Sequence, residues 1–388
     1  MDSFNRALSL RPDYIAALSN RASLLFEANR LDDAMADYQA VLAAHPDNVT
    51  ALIGQGNILR QLAQTKADDE RAFLVEKALD SYRFAINVAP NSAQAHYSLA
   101  MTLHRIDQLH EAIEHYRHAV RLQPRLAEAY SDMGVAQFEA GQLAEAAASL
   151  DQALAIEPGK SKFLWNKSLY LLALGEFAQG WRLYESRLSG KGKNTRGFGW
   201  LDNEDLRGKA VHVWAEQGLG DTIQFSRYVP LLKARGAMVT LHARASLTRL
   251  LSQLGREIII TSSMQEDDKG DYAIPLLSLP LAFGTRLDSI PAGVPYLHAE
   301  AEKIRDWKAR LGTQGFKIGV AWRGTMATKL SAARSFPLGS LEQLSRLPGV
   351  RLISLQIGDD QASPGIALER LGGQFDAGDD AFLDAAAV

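Results

Sequence analysis

The sequence predicts an array of paired helices in its first half and an α/β region with parallel sheet in its second. Three observations carry this. Prolines recur at Pro12, Pro46, Pro90, Pro124 and Pro158, with spacings of 34, 44, 34 and 34 residues. The stretches between them have the apolar period of helices. From Ala210 onward short apolar runs alternate with helical ones, which implies parallel strands joined by right-handed crossovers.

Within the array, residues recur in phase. Small residues stand at Ala22, Gly56, Ala100 and Gly134, and again at Ala34, Ala78, Ala112 and Ala146. Larger ones follow at Tyr38, Tyr82, Tyr116 and Leu150, then Val41, Ala85, Ala119 and Ala153. Small residues let two helices cross closely, and the larger ones fill the space between them. A 34-residue period of paired helices is the mark of tetratricopeptide repeats. The longer interval carries ten extra residues near Gln64 to Phe73. A fifth, looser unit runs from Ser161 to about Leu188, with Gly180, Tyr184 and Arg187 at the matching places. Counting back from Pro12 places Met1 inside a repeat, with Phe4 and Ala7 on its second helix.

Repeat arrays of this kind bind peptides or extended protein segments, and that partner class is favoured over a purely structural spacer. His104, His110, His115 and His118 fall within one unit, and His115 and His118 share a helix face. No carboxylate or thiolate is spaced to complete a metal site with them, so a solvated polar face is the expectation.

Composition bounds the rest. The chain has 388 residues, 47% hydrophobic and 22% charged, as in soluble globular proteins of two or three domains. A net charge of −3 gives no reason to expect nucleic acid as a partner. There is no cysteine, hence no disulfide and no thiolate metal site, which suits a cytoplasmic protein. No apolar run has the length of a membrane span, and the first residues lack a signal-peptide pattern.

Residues 189–209 read as a linker: Ser189 to Asn194 is glycine-rich and basic, and Phe198 and Trp200 follow. Strands are then expected at 210–215, 237–242, 257–261 and 271–277, with helices at 222–235, 245–254 and 278–283. The stretch Val213 to Phe225 reads as a buried strand, a glycine turn and a helix start. Gly218 and Gly220 suit a sharp bend. Asp221 stands where an N-cap belongs. The G-x-G-x-x-G fingerprint of dinucleotide domains fails, because Ile223 occupies the third glycine and His242-Ala243-Arg244 replaces the ribose-binding acid.

The run Trp214 to Tyr228 resembles the corresponding segment of bacterial tetratricopeptide-repeat glycosyltransferases, relatives of heptosyltransferases and, in layout, of O-linked N-acetylglucosamine transferases. Ile274 to Pro280, Val294 to Leu297, Ile318 to Trp322 and Arg334 to Leu338 fit the same family in order. The resemblance covers roughly residues 165–388 and implies a GT-B fold, two Rossmann-like halves across a cleft. On this reading residues 210–305 form the first half and residues 306–388 begin the second.

The resemblance implies that Asp221 is the general base, taking the proton of an acceptor hydroxyl. Gln217, Gly218 and Gly220 would form the acceptor-side loop. The residues alone favour a capping role for Asp221, and one carboxylate can do both. Arg323, Gly324, Thr325, Lys329, Arg334 and Ser335, beside a strand end, would hold the diphosphate of a nucleotide sugar. No Asp-x-Asp pair occurs, and the fold implies no metal and no cofactor beyond the nucleotide-sugar co-substrate. Strands at 317–322 and 350–356 are clear, and the final stretch from Asp380 reads as a helix start without a C-cap. A second half needs further βα units, so the expectation is a fragment that binds nucleotide sugar weakly or not at all. Two functions fit the sequence: a glycosyltransferase moving a sugar from a nucleotide donor to a hydroxyl, and a repeat-based interaction scaffold with a degenerate or structural α/β part.

Overall fold

The computed structural model describes residues 1–189, 205–263, 270–323, 335–357, 365–377 and 379–388. The chain divides into two compact units, Met1–Ser189 and Gly190–Val388.

The first unit is helical. After α1 (Asp2–Leu10) come five antiparallel pairs: α2 (Ile15–Glu27) with α3 (Leu31–Ala44), α4 (Val49–Leu62) with α5 (Asp68–Val88), α6 (Ala93–Arg105) with α7 (Leu109–Leu122), α8 (Ala127–Glu139) with α9 (Leu143–Ile156), and α10 (Ser161–Ala173) with α11 (Phe177–Tyr184). The first helices stop for a common reason. Asn29, Asp107, Gly141 and Gly175 occupy equivalent places and have positive φ, 58°, 66°, 76° and 81°. Each closes a Schellman motif, as where Arg30 N–H reaches Leu25 O at 2.9 Å and Asn29 N–H reaches Phe26 O at 3.0 Å. The equivalent of Asn29 in the second pair is Ala63, which does not take positive φ readily. There the chain winds a 3-10 turn, Ala63–Thr65. The ten extra residues lengthen α4, the connection and above all α5, which has 21 residues where α3 has 14.

The in-phase residues form the core. Ala34, Ala78, Ala112 and Ala146 are fully buried, as are Tyr82 and Tyr116. Gly56 and Gly134 sit at the closest crossings: a Cβ at Gly56 would lie 2.5 Å from the Tyr82 ring, and one at Gly134 would lie 2.8 Å from Leu150. Successive first helices touch all along the array, while successive second helices touch at most marginally. The array therefore curves toward its first helices, which line the inner face.

The second unit holds two small parallel sheets. In the first, β1 (Ala210–Trp214), β2 (Met238–His242), β3 (Ile259–Thr261) and β4 (Tyr272–Pro275) lie in the order β3-β2-β1-β4. Val211, Val213, Val239, Leu241 and Ile274 are buried at the strands' alternate positions. The expected helix at 222–235 is two helices, α12 (Leu219–Ser226) and α13 (Val229–Ala234), because Pro230 at the start of α13 cannot continue the ladder. α14 (Ala245–Leu251) and α15 (Leu279–Ala282) follow β2 and β4. β4 ends at Pro275, short of the expected 277, because Leu276–Ser278 wind a 3-10 turn.

α16 (Ala301–Leu311) leads into the second sheet, β5 (Phe316–Val320), β6 (Val350–Ser354) and β7 (Leu368–Arg370), in that order. Short α17 (Glu342–Ser345) precedes β6, and α18 (Leu383–Ala387) packs on α16. Two parallel sheets in sequence agree with the α/β expectation; three strands in the second do not by themselves make a GT-B half. No helix among the described residues is long and apolar enough to cross a membrane.

Candidate functional site

In the α/β unit, β1 is the crossover point. The chain runs from β1 to β2 to β3 on one side, then returns to pair β4 on the other side of β1, with Trp214 beside Pro275. Loops leaving β1 and β4 diverge there, which is where open α/β sheets bind ligands. Gln217, Gly218, Gly220 and Asp221 all lie just beyond the carboxyl end of β1. Their roles differ from the expectation in two respects. The N-cap of α12 is Gly218, so Asp221 is the third residue of the helix, and no side chain caps it. The cause is that the helix starts earlier than the apolar pattern implies. Gly218 is extended, φ −67° and ψ 169°, and Gly220 is helical, so neither uses a left-handed bend. A Cβ at Gly218 would stand 3.4 Å from Asp221 Oδ2, an ordinary contact, so the space there does not demand glycine. Asp221 is half-buried, next to the positive end of α12.

The far side of α12 is tied to the segment after α15. The Tyr296 hydroxyl donates to Ile223 O at 3.0 Å, and the Arg227 guanidinium lies 4.7 Å from the Tyr296 ring centroid. An apolar cavity of about 350 Å³ opens here, lined by Ile223, Leu250, Leu297, His298, Phe382 and Ala385 among others. Asp221 is not among its lining residues.

Of the expected diphosphate residues, Gly324, Thr325, Lys329 and Arg334 lie outside the described residues. Arg323 and Ser335 both lie near the carboxyl end of β5, where Phe336 N–H donates to Trp322 O at 3.0 Å. Arg323 is exposed, and its backbone N–H donates to Gln356 Oε1 at 3.0 Å.

The array offers a second constellation on its inner face. Hydrogen bonds join neighbouring first helices at a constant offset of 35 residues: Tyr97 hydroxyl to Asp132 at 2.9 Å, Asn166 to Ser131 at 2.9 Å, and His104 with Glu139 at 2.9 Å. The offset is one repeat plus one residue, so these bonds are rungs between helices in fixed register. Asp132 also takes the Lys162 ammonium at 2.6 Å.

The histidines are not a uniformly solvated face, contrary to expectation. His96, which carries no signal in the sequence, is buried on α6 and donates from Nε2 to Pro90 O at 3.0 Å. Its Nδ1 is therefore the acceptor for His115 Nδ1–H, also at 3.0 Å, and His118 stacks on it with ring centroids 4.9 Å apart. Burial, then the charges of His96, His118 and Arg83, push His115 down to about 4. No group of three or more such side chains is arranged to hold a metal ion among the described residues.

Comparison with known proteins identifies the first unit. A tetratricopeptide-repeat family model matches residues 2–49, 19–74 and 131–185, and a second TPR-repeat model matches residues 103–141. The helical unit is a tetratricopeptide-repeat array. FlbA of Caulobacter vibrioides is 26% identical over 231 residues, covering 53% of this chain and 39% of the relative. The chain thus spans about two-fifths of the length of that curated relative. Among solved structures, TTC0263 of Thermus thermophilus, a TPR protein, is 23% identical over 44% of this chain and 87% of its own, with a TM-score of 0.39. YrrB, described as a TPR protein with an unusual peptide-binding site, is 20% identical over 48% of this chain and 90% of its own, with a TM-score of 0.37.

Proposed function

We propose that this protein is an interaction scaffold whose tetratricopeptide array binds an extended peptide segment of a partner protein on its inner face. The observation that carries this is the set of rungs at constant offset between first helices. They fix a curved polar surface before any ligand arrives, so little ordering cost remains on binding. Selection of phage-displayed random dodecapeptides against the 388-residue chain tests it. Enrichment of peptides that bind the chain in solution is expected. Failure to enrich any peptide under conditions where the array is folded would contradict the reading.

A second reading, the glycosyltransferase, is favoured by one specific observation. Asp221 lies at the crossover of a β3-β2-β1-β4 sheet, on the helix leaving β1. In that reading Asp221 accepts the acceptor's proton, Gln217, Gly218 and Gly220 line the acceptor side, and Arg323 and Ser335 contribute to the diphosphate site. Calorimetry with UDP-N-acetylglucosamine and with an ADP-heptose separates the two. Saturable binding would support the transferase; no heat from either donor is expected if the scaffold reading is complete. Should transfer occur, Asp221→Asn is expected to lower kcat by about 10²- to 10⁴-fold with the fold unchanged. Undiminished transfer would remove Asp221 from the chemistry.

A further inference from the structure

The rungs between first helices obey a rule, and one of them breaks it. His104 Nε2 and Glu139 Oε2 form a rung 2.9 Å long at an offset of 35 residues. Between the second and third pairs the proline interval is 44 residues instead of 34, so the same rung joins residues 45 apart. Arg60 occupies the place of His104, and Arg105 occupies the place of Glu139. Where the neighbouring rung joins an imidazole to a carboxylate, this one places two guanidinium side chains close enough that the charge of Arg60 acts on Arg105.

Neither cation meets a carboxylate among the described residues. Arg60 Nε is buried without a hydrogen-bond partner there. Its surroundings are phenolic: Tyr82, Tyr97 and Tyr116, whose ionisation burial suppresses, all feel its charge. Burial and then the Arg60 charge hold Arg105 below the usual arginine range. The carboxylates along the inner face are already engaged: Asp132 by Tyr97 and Lys162, Glu139 by His104, Glu128 by Lys160. Two facing cations in a partly desolvated groove are held apart from any of these acids, and a bound anion would restore the pattern of the adjacent rung.

We propose that Arg60 and Arg105 together receive an acidic side chain, Asp or Glu, of the peptide that the array binds. The carboxylate takes the place that Glu139 fills one repeat later. This deepens the scaffold reading and rests on it.

The test uses the peptides enriched by phage display as N-terminal fusions, resynthesised with acetylated and amidated ends so that only side-chain carboxylates remain. Anisotropy measures their binding to the wild-type chain and to Arg105→Gln, a polar replacement at an exposed position whose folding a melting curve checks. One acidic residue per peptide is expected to matter. Its change to the amide, and Arg105→Gln, should each weaken binding about tenfold, and the two together no more than either alone. Arg60→Lys, which keeps the charge but not the fork, should weaken binding less than Arg105→Gln. Peptides that bind equally as acids and amides, or whose acid dependence survives Arg105→Gln, would overturn the proposal while leaving peptide binding intact. No enriched peptide at all would overturn the scaffold reading itself, and this proposal with it.

Discussion

Acidification from pH 7 to pH 4 is expected to cost the tetratricopeptide array up to about 3 kcal/mol through His115. The folded-state value is about 4 against an ordinary 6.5, so folding favours the neutral ring. That stability is fully present above pH 6.5 and is lost as pH falls toward 4. The structure gives the reason. His115 donates to His96, whose other nitrogen is committed to Pro90 O. A proton on His115 would sit beside His118 and Arg83 as well, and Glu111, 4.0 Å away, and Glu114 do not offset this. His96 is also held low, by burial first. Urea unfolding of wild type and His115→Gln at several pH values measures the effect. The glutamine retains an N–H donor, so its stability should vary much less between pH 6.5 and pH 4. A difference between the two proteins that does not change with pH would show that His115 does not titrate as proposed.

Asp384→Ala is expected to destabilise the α/β unit by about 3 kcal/mol, more than any single surface change there. Its Oδ1 accepts from Lys303 Nζ at 2.7 Å and Trp307 Nε1 at 2.9 Å, and its Oδ2 from Asp376 N–H at 3.1 Å. In return Asp376 accepts the N–H of Asp384 at 2.7 Å. One carboxylate thus fastens α18 to α16, beside the cluster of Trp307, Leu311, Ile353, Leu371 and Phe375. Removing it strands the Lys303 ammonium and a buried indole N–H. Burial raises the Asp384 carboxyl, but the bonds from Lys303 and Trp307 prevail and hold it below the usual range. Its contribution is therefore present above the ordinary carboxylate range, about pH 4, and lost in stronger acid. Asp384→Asn keeps an acceptor for Trp307 and should cost clearly less. Denaturant curves followed by tryptophan fluorescence decide; equal stability of the alanine variant and wild type would contradict this role.

The repeat array is legible in the sequence because its physics is periodic. Proline, small and large residues recur at positions where helix ends and crossings demand them, and Gly56 against Tyr82 shows the demand directly. The Schellman turns are less visible, since Asn29 and Asp107 stand in for glycine. In the α/β unit the strands are legible from apolar runs such as Val350 to Ser354. α16 is hard to read because it is mostly charged; Ile304, Trp307 and Leu311 mark its apolar face at a spacing of three and four residues. β7 is three residues long and leaves no pattern.

The candidate sites divide in the same way. Asp221 is visible as a carboxylate after a strand, but its place at the third helical position is not, since an early helix start has no apolar signature. The Arg60–Arg105 pair lies 45 residues apart in sequence across the one irregular interval, so it emerges only when the rung beside it supplies the register. His96 carries no signal in the sequence, and its significance comes from His115 on the next helix.

The central claim, that the inner face of the array is the binding surface, is tested most directly by mapping a bound peptide. A display-selected dodecapeptide carrying one benzoylphenylalanine is irradiated with the 388-residue chain, and the cross-linked residues are read by mass spectrometry. Cross-links confined to the first helices α4, α6 and α8, near Arg60, Tyr97, Met101 and Arg105, are predicted. Cross-links concentrated on the second helices or on the α/β unit would contradict the account.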